Sequence, residues 1–197
     1  MKKVPSTNPK MKAKNILFIH GWEASPHEHW FPKAKEKFEK AGYKVYIPEM
    51  PGNYFPKKEK WLEIVGNLHP DKNWILIGHS LGGVTVLKYL ENAQKPIAQA
   101  ILIAAPFDAM KFGAIENFFA RPPSLRSGDS RRAGGYDWEK IKENCPKFDI
   151  VNEDADPAVP LEHGEKFAKN LNGKLHVVRG FTHFHDIDLG LLEGLIK

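Results

Sequence analysis

At 197 residues the chain is long enough for one compact domain or slightly more, and 42% hydrophobic residues can bury a real core. The formal net charge is +5, and five lysines ahead of the first strand (Lys2, Lys3, Lys10, Lys12 and Lys14) account for all of it, leaving the rest formally neutral (+5 − 5 = 0). The sequence pI near 9.1 therefore does not argue for nucleic-acid binding by the fold. No apolar run reaches transmembrane length, and no apolar stretch follows the lysines as a signal peptide requires. A single cysteine, Cys145, excludes an internal disulfide framework and fits a reducing cytoplasm; with Pro146 after it and no elbow around it, it is a poor nucleophile.

Residues 1–14 read as a flexible basic arm, with Pro5 and Pro9 blocking regular structure. Residues 15–20 form a first strand ending in His20-Gly21-Trp22. Ser25-Pro26 reads as a helix start, serine as cap and proline at the first helical position, with the helix running to about Lys40 before Gly42 stops it. Residues 43–47 are a second strand closed by Pro48, and a helix spans about residues 57–68.

Residues 74–77 are an uninterrupted apolar run, the pattern of a buried parallel strand. Gly78, Ser80 and Gly82 then spell Gly-x-Ser-x-Gly, and Val84, Leu87, Tyr89 and Leu90 give the apolar recurrence of a helix to about Asn92. A serine at a sharp strand-to-helix turn stands clear of the sheet, and the flanking glycines leave room for it. A Gly-rich turn joining any strand to any helix would share the bare motif, so it is the strand before and the helix after that point to a nucleophile.

Residues 100–104 are a fourth strand, ended by Pro106. The region 107–136 is the least regular and reads as a small cap or lid: Phe112, Ile115, Phe118 and Phe119 suggest a short amphipathic helix, and a polar, basic loop follows. A helix near residues 138–144, a strand over 148–151, a loop over 152–160, a helix to about Leu171, a strand over 174–178, a loop over 179–186 and a terminal helix complete the chain. Six strands alternating with helices, without internal repeats, predict a doubly wound parallel sheet whose ligands bind beyond the C-terminal strand ends.

A serine hydroxyl needs a base to take its proton and a carboxylate to fix that base. With this elbow, the acid and then the histidine follow at the ends of later strands. The loop 152–160 offers Glu153, Asp154 and Asp156, and the loop 179–186 offers His183 and His185. His79, beside the serine, reads as a hydrogen-bonded structural residue, and His20 as a brace for the loop after the first strand.

Four segments carry a resemblance: His20-Gly21-Trp22 with His29-Trp30-Phe31-Pro32; Gly78-His79-Ser80-Leu81-Gly82; Asp156-Pro157-Ala158-Val159-Pro160; and His183-Phe184. In these the chain after residue 14 resembles the small α/β-hydrolases of the retinoblastoma-binding protein 9 and YdeN-like predicted serine esterase group. That group has Asp-x-x-Val-Pro and usually Gly-His-Phe, and Thr182 stands here in place of the glycine. The resemblance implies an α/β-hydrolase fold: about six mainly parallel strands in the order 2-1-3-4-5-6, helices on both faces and a small cap, in one domain over residues 15–197. It also implies Asp156 as the acid and His183 as the base of Ser80. The oxyanion hole is expected from the backbone N–H groups of Trp22 and Leu81.

The activity expected is that of a carboxylesterase on small or medium acyl esters, rising with pH as His183 loses its proton. The alternatives are an amidase or peptidase using the same residues, and a non-catalytic protein-binding module, although the Leu-x-Cys-x-Glu motif is absent. No cofactor is expected, and no metal, since neither His27 with His29 nor His183 with His185 and Asp186 has the spacing of a zinc motif. The expected partner is a small-molecule ester, with no nucleic acid, no membrane and a monomer or weak homodimer. Trp22, Trp30, Tyr54, Phe55, Phe107, Phe112, Phe118 and Phe119 read mostly as core, a minority of them as an apolar acyl pocket. Arg121, Arg126, Arg131 and Arg132 read as a solvated loop, or as an attraction for acidic substrates.

Overall fold

Six strands, β1 (Asn15–Ile19), β2 (Lys44–Tyr46), β3 (Trp74–His79), β4 (Gln99–Ile103), β5 (Phe148–Glu153) and β6 (Lys174–Val178), lie side by side in the order β2-β1-β3-β4-β5-β6. Every pairing is parallel. This is the sheet of the α/β-hydrolase fold, as the sequence led us to expect. The computed structural model describes residues 15–52, 54–120 and 135–196. The arm at residues 1–14 and the loop arginines Arg121, Arg126, Arg131 and Arg132 lie outside the described residues.

Side-chain alternation along the strands divides the core in two. Ile16, Phe18, Ile75, Ile77, Ile101 and Ile103 face α1 (Phe31–Lys40) and α7 (Leu189–Leu195). Leu17, Ile19, Leu76, Ala100 and Leu102 face α2 (Lys58–Asn67), α3 (Leu81–Leu90), α5 (Trp138–Asn144) and α6 (Leu161–Leu171). Each fully buried Ile, Leu or Phe stabilises the fold by about 1.5–3 kcal/mol. Helix α3 is buried along nearly its whole length, which explains its lack of a polar face.

One expected helix start is corrected. Helix α1 begins at Phe31, not at Ser25-Pro26, and the intervening residues form turns. A helix from Pro26 would have carried Pro32 in its interior, where it lacks an N–H and clashes with the preceding turn. Instead His29 adopts φ +55°, which breaks any continuous helix, and Pro32 falls in the first turn of α1. Strands β3 and β5 each run two residues further than their apolar runs, because His79 pairs with Ile103 and Glu153 with Val178.

Within the region expected to form a cap, a 3-10 turn (Gly113–Ile115) leads into α4 (Glu116–Phe119). Asn117 pins it by accepting from the Lys58 N–H at 2.9 Å and donating to the Pro56 carbonyl at 2.9 Å. Among the described residues, no helix is long and apolar enough to cross a membrane.

Candidate active site

The sheet reverses its winding between β1 and β3, the adjacent strands from which the chain sets off in opposite directions. Ligands of doubly wound sheets bind at such a switch point, outside the C-terminal strand ends. His20-Gly21-Trp22 leaves β1 there, and Ser80 follows β3.

Ser80 has φ +51° and ψ −121°, a conformation that costs a residue with a side chain about 1–3 kcal/mol. The Ser80 N–H donates to the Ile103 carbonyl at 2.8 Å, and the Gly83 N–H to the Ser80 carbonyl at 2.9 Å, fixing the turn from both sides. The motif's glycines are contact points. A Cβ on Gly78 would lie 2.3 Å from the Gly82 backbone, and one on Gly82 would lie 2.1 Å from the Ile19 carbonyl oxygen. A Cβ on Gly21 would lie 3.1 Å from the Ser80 Cβ, so the loop after β1 passes directly beside the serine. His20 braces that loop, with Nδ1 2.8 Å from the Gly21 carbonyl and Nε2 accepting from the Met50 N–H at 3.0 Å.

Three expected residues meet here. His183 Nε2 lies 3.2 Å from Ser80 Oγ. His183 Nδ1 lies 2.9 Å from Asp156 Oδ2 and 3.1 Å from Oδ1. The Asp156 side chain is fully buried, and its Oδ1 also accepts the Ala158 and Val159 N–H groups at 2.8 and 2.9 Å. Burial alone would raise the pKa of this carboxyl. The hydrogen bonds from His183, Val159 and Ala158, with the charge of His183, outweigh it and hold the pKa below the ordinary value.

The competing residues have other partners. Glu153 Oε1 accepts from the Gly180 and Phe181 N–H groups at 2.8 and 2.9 Å, and Asp154 pairs with Arg179 at 2.7 Å. Both acids tie the loop that carries His183 to the loop that carries Asp156, a role no sequence motif announces. His185 stacks on His29, ring centroids 4.7 Å apart at 11°. His79 is buried, and its Nε2 lies 2.9 Å from the His183 carbonyl, so that nitrogen carries the hydrogen and donates. Burial first, then the charge of His183, push the His79 pKa down to about 3. Among the described residues, no group of three or more His, Cys, Asp or Glu side chains is arranged to hold a metal ion.

His183 sits in an unusual backbone. Thr182, His183 and Phe184 have φ +41°, +55° and +56°, three consecutive left-handed residues that are not glycine. Each costs roughly 1–2 kcal/mol relative to the right-handed form.

The cleft above Ser80 has a volume of about 370 Å³. Its walls are Gly21, Trp22, Glu23, His29, His183 and His185, among others. Of the aromatic residues considered for an acyl pocket, only Trp22 borders it, and Phe112 packs edge-on against that indole. Trp30, Phe107 and Phe118 are core, while Tyr54 and Phe55 are 65% and 80% exposed. Leu81 opens α3, so its N–H has no partner one turn earlier within the helix. A larger groove of about 550 Å³, lined largely by prolines and by Val45, Ile47 and Leu68, flanks β2; none of Ser80, Asp156 and His183 borders it.

The serine hydrolase family profile matches residues 16–191. The chain is 29% identical to YdeN of Bacillus subtilis (strain 168) over 177 residues, covering 87% of this chain and 86% of that protein. It is 27% identical to serine hydrolase RBBP9 of Rattus norvegicus over 184 residues, covering 90% and 86%. The crystal structure of the B. subtilis ydeN product superposes with a TM-score of 0.80 at 23% identity, over 93% of this chain and 98% of that one. Est1E from Butyrivibrio proteoclasticus superposes with a TM-score of 0.66 at 22% identity, over 97% and 88%. A serine at a strained elbow, matched by a profile that spans nearly the whole described chain, establishes that this protein belongs to the serine hydrolase family.

Proposed function

We propose that the protein is a carboxylesterase acting on small or medium acyl esters through Ser80, His183 and Asp156. One observation carries this reading: the unbroken relay from Ser80 Oγ to His183 Nε2 at 3.2 Å and from His183 Nδ1 to Asp156 Oδ2 at 2.9 Å. Ser80 Oγ attacks the ester carbonyl as His183 Nε2 takes the serine proton. The tetrahedral intermediate collapses, its bond to the alcohol oxygen breaks, and His183 returns the proton to that oxygen. Water then attacks the acyl-serine carbonyl as His183 takes its proton; the bond to Ser80 Oγ breaks, His183 returns the proton to that oxygen, and the acid is freed. Asp156 holds the imidazole with Nδ1–H toward the carboxylate. The N–H groups of Trp22 and Leu81 receive the negative charge on the carbonyl oxygen, at roughly 3 kcal/mol of transition-state stabilisation each.

A cleft of about 370 Å³ suits a small ester, being at the lower end of small-molecule sites. The setting we propose is the cytoplasm, on the strength of one buried free thiol, Cys145.

Treatment of the native protein with a fluorophosphonate, followed by peptide mass spectrometry, is expected to find the adduct on Ser80. Ser80→Ala is expected to lose both the adduct and the hydrolysis of p-nitrophenyl acetate. An adduct elsewhere, or full activity in Ser80→Ala, overturns the reading, and a matched anilide compared with its ester decides between amide and ester preference.

A further inference from the structure

The left-handed turn at residues 182–184 is held from behind by two side chains distant in the sequence. The Trp30 indole Nε1–H donates to the Phe184 carbonyl at 3.1 Å, across 154 residues. The His79 imidazole Nε2–H donates to the His183 carbonyl at 2.9 Å, across 104 residues. Consecutive carbonyls of the same strained turn are thus each bound by one N–H. Both donors are rigid rings and both are buried, Trp30 at 1% exposure and His79 at 4%. They meet each other edge to face, centroids 6.5 Å apart. The Phe184 ring, wholly buried and stacked on Phe181, holds the far side of the turn.

We infer that Trp30 and His79 are positioning residues, whose two N–H groups fix the backbone turn that presents the His183 imidazole to Ser80. The proposal rests on the reading of His183 as the base. Its strength is a closed circuit. From Ser80 Oγ the path runs to His183 Nε2, through His183 to its own carbonyl, across to His79 Nε2, and back over one peptide bond to Ser80. The separation between base and nucleophile is therefore set by a short loop of rigid parts. An L-residue relaxes from the left-handed region unless its surroundings forbid it. With either donor gone, one carbonyl loses its partner and the turn is free to swing the imidazole away from Oγ. His79 itself stays neutral, since burial pushes its pKa down to about 3, so it donates steadily across the working pH range and does not compete for the serine proton. The His29-Trp30-Phe31-Pro32 segment thereby gains a function: α1 starts at Phe31 with Pro32 in its first turn, and Trp30, the residue before the helix, aims its indole at the turn.

The test uses the full chain and p-nitrophenyl acetate. Ser80→Ala and His183→Ala come first; if either retains activity, the reading of the base and nucleophile fails, and this proposal with it. If both lose activity, His79→Gln, His79→Asn and Trp30→Phe decide the matter. Glutamine carries an N–H where the imidazole Nε2 stood, asparagine is one carbon short, and phenylalanine keeps a ring but no donor. His79→Asn and Trp30→Phe are expected to lower kcat about 10- to 100-fold with KM within about 2-fold, while His79→Gln stays within about 3-fold of wild type. The low-field Nδ1–H proton resonance of His183, hydrogen-bonded to Asp156, should broaden or vanish in His79→Asn and persist in His79→Gln, a change that lost stability alone would not produce. Wild-type kcat in Trp30→Phe and His79→Asn overturns the proposal, as does a folded His79→Gln that falls as far as His79→Asn. If His79→Asn does not fold, the kcat of Trp30→Phe alone decides between the two outcomes.

Discussion

Glu153, Asp154 and Asp156 lie within four positions of one another and carry the same charge, yet their surroundings assign them different work. Asp156 is buried with one oxygen on two backbone N–H groups and both within reach of His183. Asp154 reaches out to an exposed Arg179, and the side chain of Glu153 points at the backbone of the next loop. Removing the Asp156 charge while keeping its shape should leave the imidazole in the wrong tautomer. Asp156→Asn is expected to lower kcat about 10³- to 10⁴-fold. Asp154→Asn should stay within about 3-fold, because an exposed ion pair of this kind stabilises by about 1 kcal/mol at most. His185→Gln should likewise stay within about 3-fold, since His185 stacks on His29 at the cleft wall. Steady-state kinetics on one ester checks all three, and a 10³-fold loss in Asp154→Asn would reassign the acid. The residue pattern makes this site legible because each participant follows a strand and sits in a recognisable short motif. The donors behind it, Trp30 and His79, also sit in such segments, and His79 reads as hydrogen-bonded, but their partners are not legible: they act across 154 and 104 residues, and no local pattern encodes a hydrogen bond of that reach.

At the scale of elements, glycine explains why β3 and α3 meet where they do. Gly82 lets α3 approach the end of β1 so closely that a Cβ would overlap the Ile19 carbonyl oxygen at 2.1 Å and the His20 carbonyl oxygen at 2.7 Å. Backbone cannot rotate aside as a flexible side chain can. Gly82→Ala must therefore push α3 off the sheet, and a loss of about 3 kcal/mol or more is expected, together with the loss of fluorophosphonate labelling at Ser80. Gly66 is the control. It lies inside α2 with ordinary helical φ and nothing within 4 Å of a Cβ, so Gly66→Ala is expected to stabilise by about 0.5–1 kcal/mol. Urea unfolding of both variants measures the contrast, and equal effects would mean that the elbow tolerates displacement. The strands are readable because buried parallel strands are runs of Ile, Leu, Val and Phe, whose alternation the two core layers reproduce. The start of α1 is easily misplaced because Ser25-Pro26 imitates a cap, whereas its serine spends its bonds on a local turn, with the Ser25 N–H donating to Glu28 Oε2 at 3.0 Å. The left-handed turn at 182–184 is not legible in the sequence, since Thr and Phe rarely adopt that region, His does so only in a minority of cases, and tertiary contacts impose it on all three in a row.

For the whole molecule, the feature with the widest consequence is a set of histidines buried without charge. His20, His79 and His163 are at most 4% exposed. Each has its pKa pushed below the ordinary histidine value, with burial as the largest cause, and for His79 the result is about 3. In the unfolded chain the same side chains take up protons near pH 6.5. Between about pH 6.5 and pH 3 the unfolded state therefore binds more protons than the folded one, and stability falls as pH falls through that window. Asp156 adds to the same trend further down. Its carboxyl is held below the usual range, so its contribution is intact above the unfolded value near 3.9 and fades as pH drops through the folded one. Acidification should then cost stability well before the carboxylates protonate, with His79 alone responsible for a loss on the order of a few kcal/mol. Urea unfolding at pH 8, 6.5, 5 and 4 is expected to show stability nearly level down to pH 6.5 and then a steady decline. His79→Gln, which cannot take up a proton in either state, should shallow that decline between pH 6.5 and pH 4. A wild-type profile that stays flat to pH 5, or a His79→Gln slope equal to that of wild type, would mean that the buried imidazoles are solvated well enough to charge in place, and the closed hydrogen-bond circuit behind His183 would then be looser than its distances suggest.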